Sequence, residues 1–223
     1  AHEDNKRFIE ECEEWYGKKI NITKAEKYNN QFDVILRDKY VNGPSGARCT
    51  LVLKKQVRQK IEKDTEYDGQ VFGFEYSKKE INRAIRFKEQ YPTAKPLFPL
   101  IEKKMTKPEC LFYLEKAGIE RPKMYQLGYG NNNCIGCVKG GKGYWNKIRV
   151  DFPEFFDRMA EAEREVGNSC LRGVFLDELN PDEGHKQKYI MPDCGNFCDI
   201  EFEDIMHKDV DKIYNQPEQL ELL

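Results

Sequence analysis

The stretch DNKRFIEECEEWYGKKINIT, residues 4–23, decides the fold class. Phe8, Ile9, Cys12, Trp15 and Tyr16 fall on one stripe at helical spacing, which predicts an amphipathic helix over residues 4–16, and Gly17 stands where such a helix stops. Residues 19–23 then alternate Ile20 and Ile22 with polar neighbours, the pattern of a short strand. A helix followed within a few residues by a strand is half of a parallel α/β unit. The chain is therefore expected to be an α/β protein that opens partway through such a unit, with further sequence ahead of Ala1.

Outward from this stretch, NGPSGA at residues 42–47 has the composition of a loop and delivers Arg48, Cys49 and Thr50 to a helix running to about residue 63. Thr50 reads as its N-cap, with Leu51, Leu53, Val57 and Ile61 as the apolar positions. A helix start flanked by Arg48, Lys54 and Lys55 suits an anion, although a capped surface helix would read the same way. Residues 70–74 read as a strand, 77–91 as a basic helix carrying Arg83 and Arg86, and 97–101 as a short apolar strand. Thr106, Pro108 and Glu109 make a capping-box start for a helix that Gly118 ends. Asp151, Pro153 and Glu154 open another amphipathic helix to about residue 166, beyond which acidic turns alternate with short apolar pieces.

The chemistry concentrates in GNNNCIGCVKGGKGY, residues 130–144. Cys134 and Cys137 are flanked there by three Asn and four Gly, a composition that makes a tight loop. Cys-x-x-Cys is a spacing at which two sulfurs approach one tetrahedral metal or one iron–sulfur cluster, while the glycines let backbone N–H groups turn inward. Cys194 and Cys198, in PDCGNFC, would supply the other two ligands. Buried thiols acting as small hydrophobes, or a redox dithiol, are the alternatives.

Hydrophobic residues make up 39% of the 223 and charged residues 34%, the balance of a globular rather than a disordered chain. No apolar run is long enough to cross a bilayer and no signal-peptide pattern opens the sequence, so no membrane partner and a cytoplasmic location are expected. The eight cysteines are accordingly read as reduced or metal-bound. Net charge is −2, but residues 48–148 carry 21 basic against 11 acidic side chains and residues 149–223 carry 8 against 19. A basic middle suits a nucleotide or a nucleic-acid strand; solvated helix faces with segregated charge are the plainer account. His2, His185 and His207 are scattered in polar surroundings and are assigned no catalytic role.

The order RCTLVLK (48–54), GFEYSKKEINRA (73–84), PLFPL (96–100), a helix and YQLGYGNNNCIGC (125–137) resembles the phosphoadenosine phosphosulfate reductase family of adenine-nucleotide α-hydrolase proteins. The likeness extends over residues 1 to about 165, and its NNCxGCVKGG loop is similar to that of phage and bacterial members. The resemblance implies a Rossmann-like parallel sheet flanked by helices, ATP or phosphoadenosine phosphosulfate at the carboxyl ends of the strands, and sulfur or adenylyl transfer. Arg48, Thr50 and Lys54 would lie near the nucleotide, and Lys139 and Lys142 would reach its phosphates. Residues 1–148 would form the nucleotide-binding domain and 149–223 a helical and irregular extension packing on the cysteine loop.

Three departures bear on that implication. The family's Ser-Gly-Gly-Lys-Asp-Ser phosphate loop is absent and would have preceded Ala1, so these 223 residues are expected to bind metal and some nucleotide without turnover and to expose a sheet edge prone to self-association. Glu75 stands where such members often carry Arg. Reductases of the family end in Cys-Gly-x-His with a nucleophilic cysteine; here Cys194, Gly195 and Asn196 are followed by Phe197 and Cys198. If Cys194 is the mobile nucleophile, the protein is a thiol-dependent reductase. If it joins Cys134, Cys137 and Cys198 on zinc or a 4Fe-4S cluster, with Cys49 as a substitute ligand, the protein is a nucleotide-dependent sulfurtransferase or ATP pyrophosphatase whose partner is a sulfur donor or acceptor protein or a nucleic acid. A non-enzymatic nucleic-acid-binding module is the third class. Phe72, Phe74, Tyr76, Phe87, Tyr125 and Tyr129 interleave the basic residues as it would need, but periodicity places most of them in the core.

Overall fold

The apolar stripe of the opening stretch folds as helix α1 (Asn5–Tyr16) in the computed structural model, which describes residues 1–42 and 46–184. Gly17 ends it at φ 64°, its N–H turned back to the Glu14 carbonyl. The strand expected at residues 19–23 does not form. The Glu13 carboxylate accepts the Ile20 N–H at 2.8 Å and the Lys19 ammonium at 2.6 Å, so the chain after Gly17 folds back on the helix end as coil. Ile20 and Ile22 are consequently 37% and 62% exposed, which shows that their alternation marks no buried face.

Helix α2 (Gln31–Asp38) is capped by the Asn30 side chain, which accepts the Asp33 N–H at 3.1 Å. The next helical stretch has three parts: α3 (Arg48–Thr50), a π-helical turn (Leu51–Lys55) and α4 (Gln56–Asp64). Its N-cap is Ala47, so Thr50 lies inside the first turn, buried, and does not cap the helix as its residue type suggests. The wider π turn shifts the facing of α4 relative to α3. Val52 is buried, whereas the expected core positions Leu51 and Ile61 are exposed.

Strand β1 (Gln70–Val71), helix α5 (Lys78–Gln90) and strand β2 (Pro96–Leu97) form a parallel β-α-β unit, with Gln70 opposite Pro96 and Val71 opposite Leu97. Both strands are shorter than the alternation suggests. Pro99 takes the first position of helix α6 (Pro99–Glu102), where a missing N–H costs nothing, and so ends β2. Ser77 caps α5 by accepting the Glu80 N–H, and the Thr106–Glu109 capping box opens α7 (Lys107–Lys116). Phe72, Phe74, Phe87 and Phe98 pack ring on ring here, with Phe74 and Phe87 buried as periodicity indicates.

Helix α8 (Lys123–Gln126) leads to the cysteine loop, which delivers the chain to α9 (Lys142–Asp151) and α10 (Pro153–Val166). Pro153 breaks the two at Phe152. Trp145, Tyr144, Ile148, Met159 and Leu176 are fully buried in the core around them. The described residues divide into two compact units, 1–60 with 119–184 and 61–118. The boundary expected at residue 148 falls inside α9, and α9 packs on α10 within one unit. The fold class is mixed α/β, mostly helical, with one parallel pair of strands among the described residues. No described helix is long and apolar enough to cross a membrane.

Candidate functional site

The Asn- and Gly-rich loop is two consecutive turns held from behind by side chains. Residues 135 and 136 form the corner of the first, with Gly136 at φ 69°, and the Gly140 N–H closes the second on the Cys137 carbonyl at 2.9 Å. Gln31, at the start of α2 and buried, donates through Nε2 to the carbonyls of Ile135 at 2.7 Å and Gly136 at 3.0 Å. The Tyr144 hydroxyl accepts the Cys137 N–H at 2.9 Å and donates to the Cys134 carbonyl at 3.2 Å, so one phenol spans both ends of the Cys-x-x-Cys turn. Only glycine fits at position 140, because a Cβ there would lie 1.9 Å from the Tyr144 ring. At the loop's entrance the Tyr129 hydroxyl donates to Asp151 at 2.8 Å, and that carboxylate also pairs with Lys147.

Cys137 is buried and Cys134 half-buried. Burial pushes the Tyr144 phenol well above its ordinary pKa; the N–H of Cys137 pulls the other way, and the thiols of Cys137 and Cys134 add to the rise. The donor set fits half of a tetrahedral thiolate site. Among the described residues no three His, Cys, Asp or Glu side chains gather to hold a metal. Cys194 and Cys198, expected as the remaining ligands, and Cys194 as nucleophile, lie outside the described residues. Cys49 and Cys170 both pack against the core that contains Cys137. The Cys170 thiol is driven far above its usual pKa by burial, then by Glu163, with a smaller push from Cys49, which suits an inert thiol rather than a thiolate.

The expected phosphate-binding cations are spread over three settings. The Arg48 guanidinium pairs with Asp38 at 2.7 Å, and the Tyr28 hydroxyl donates to the same carboxylate, holding it below the usual range. Thr50 Oγ1 is buried without a hydrogen-bond partner among the described residues, and Lys54 is exposed. Lys142, the first residue of α9, pairs with Glu183 at 2.6 Å. Behind that pair, Asn146 donates to the carbonyls of Asn180 and Glu183, and Arg149 to those of Leu176 and Leu179, strapping residues 176–183 along the helix. Lys139, two residues past Cys137, has its ammonium buried with no hydrogen-bond partner among the described residues.

No protein-family model, curated protein or solved structure matches this chain. Three residues that shape this region carry no chemical motif in the sequence. Gln31 gives no signal at all. Tyr144 is hidden in the run GKGYW, and Glu163 shows only as a carboxylate on the apolar face that includes Phe156, Met159 and Ala160. It is 0% exposed, and its two oxygens accept the backbone N–H groups of Cys170 and of Leu176, the latter at 2.7 Å.

Proposed function

We propose that this chain is a phosphoadenosine phosphosulfate reductase-like enzyme that uses an adenine nucleotide for sulfur or adenylyl transfer, with Cys134 and Cys137 as half of a four-cysteine zinc or iron–sulfur centre. The observation that carries this reading is the coincidence, on one braced loop, of two thiols and the buried ammonium of Lys139, which has no hydrogen-bond partner among the described residues. A buried cation without a counter-charge is costly, and an anion seated beside the loop removes that cost. Nucleotide phosphate and sulfate are anions of that kind, and a lysine serves them as a point charge. The metal or cluster would lock the loop, with Cys194 and Cys198 completing its ligands. The parallel β-α-β unit also supports the reading, since nucleotide-binding α/β sheets are assembled from such units.

Calorimetric titration of the full chain with ATP and with phosphoadenosine phosphosulfate tests the proposal. At least one nucleotide binds, and Lys139→Ala weakens it about tenfold or more, the size of one charge-assisted hydrogen bond. Binding of neither nucleotide, or unchanged affinity in Lys139→Ala, overturns it.

A further inference from the structure

We infer that Tyr144 and Gln31 are the positioning residues of the Cys134–Cys137 pair: the phenol joins the two ends of the turn and the amide holds its two corner carbonyls, setting both thiols for a soft divalent cation. The inference rests on the reading of this loop as a metal- or cluster-holding element. Four polar backbone groups of the turn are involved. The Cys134 carbonyl and Cys137 N–H are both served by Tyr144, and the Ile135 and Gly136 carbonyls are both served by Gln31. Neither residue lies in the turn. Gln31 begins α2 and Tyr144 lies in the first turn of α9, so the conformation of the pair is imposed by the packing of two helices.

The two anchors are themselves fixed. Tyr144 is 2% exposed, its ring packed edge-on against Trp145 and Tyr129 and closed over by Gly140. Gln31 is 8% exposed, with its amide nitrogen committed to the two carbonyls. A turn braced on every side loses little freedom when a cation binds, and partners that orient a metal's ligands commonly contribute about 10–100-fold to affinity. The ligand class is set by the thiols: zinc, cadmium or cobalt(II), or the iron of a cluster, rather than magnesium or calcium.

Tyr144→Phe keeps the ring on which Gly140 packs and removes only the hydroxyl; Gln31→Met keeps volume and removes the amide. The full chain and both variants are titrated with cobalt(II) alone, following the thiolate-to-cobalt charge-transfer band. In parallel, iodoacetamide alkylation at each cysteine is timed by mass spectrometry. The expected result is cobalt binding weakened about 10–100-fold in each variant, with a changed band. Cys137 should be alkylated about tenfold faster or more, while Cys12 and Cys170 in the same molecules keep their rates. Where the wild type takes up cobalt, both changes are required, and unchanged affinity or an unchanged Cys137 rate overturns the inference while leaving the proposed function standing. Acceleration of Cys12 and Cys170 together with Cys137 also overturns it, since that reports general loosening. A wild type that takes up no cobalt removes the metal centre instead, and the alkylation rates alone then decide whether Tyr144 and Gln31 position the pair.

Discussion

Replacing Glu163 by Gln should destabilise the protein by about 3 kcal/mol. The native carboxylate is fully buried and accepts two backbone N–H groups, one from Cys170 and one from Leu176, which ties the turn after α10 to that helix. Protonated or ionised, the carboxyl presents an oxygen to each N–H, whereas Gln keeps one acceptor and turns an NH2 group toward the other N–H. A stranded buried donor costs about 1–3 kcal/mol, and facing it with a second donor puts the loss at the upper end. Against a typical total of about 5–15 kcal/mol this is a large share, lowering the thermal midpoint by roughly 6–12 °C. Burial raises the Glu163 pKa above its unfolded value, outweighing the two N–H groups that pull it down. A carboxyl raised in the folded state contributes stability that is fully present below the unfolded pKa, about 4.3, and is lost as pH rises through the folded one. The gap between wild type and Glu163→Gln should therefore be widest near pH ~4 and narrow toward neutrality. Urea unfolding of both proteins across that range, followed by circular dichroism, measures it. A gap within about 0.5 kcal/mol throughout, or one that widens with pH, would refute the reasoning.

Gly140→Ala should cost about 1–3 kcal/mol or more, because its Cβ would overlap the buried Tyr144 ring, and should accelerate alkylation of Cys137; chemical denaturation and cysteine labelling check both. Arg48→Ala should leave stability within about 1 kcal/mol, since the Arg48 side chain in its pair with Asp38 is 42% exposed, and should weaken nucleotide binding in calorimetry if Arg48 meets phosphate.

Local signals in the sequence were readable where the structure is local. Gly17, Ser77 and the Thr106–Glu109 pair mark α1, α5 and α7 because caps act within one turn. The alternation of Ile20 and Ile22 misleads because a strand needs a partner that periodicity cannot supply. Helix α9 is hidden for the opposite reason: Gly143, Tyr144, Trp145 and Asn146 are buried in succession, so its first turn shows no alternation of buried and exposed residues after the glycine-rich loop. The π turn defeats the reading of residues 51–61 by rotating the face halfway along. At the site, composition identified the turn and its two thiols, since glycine and asparagine act on their own backbone. Its braces were not legible. Gln31 reaches the loop from a helix about a hundred residues earlier in the chain, and the burial of the Lys139 ammonium is a product of tertiary packing.

The most direct test of a cysteine centre joined to nucleotide chemistry is the metal content of the full chain, purified without oxygen and measured by elemental analysis alongside Cys134→Ser and Cys137→Ser. The account predicts about one zinc or about four irons per chain in the wild type and a large loss in either variant. A wild type without zinc or iron, whose Cys134 and Cys137 thiols titrate freely, would contradict it.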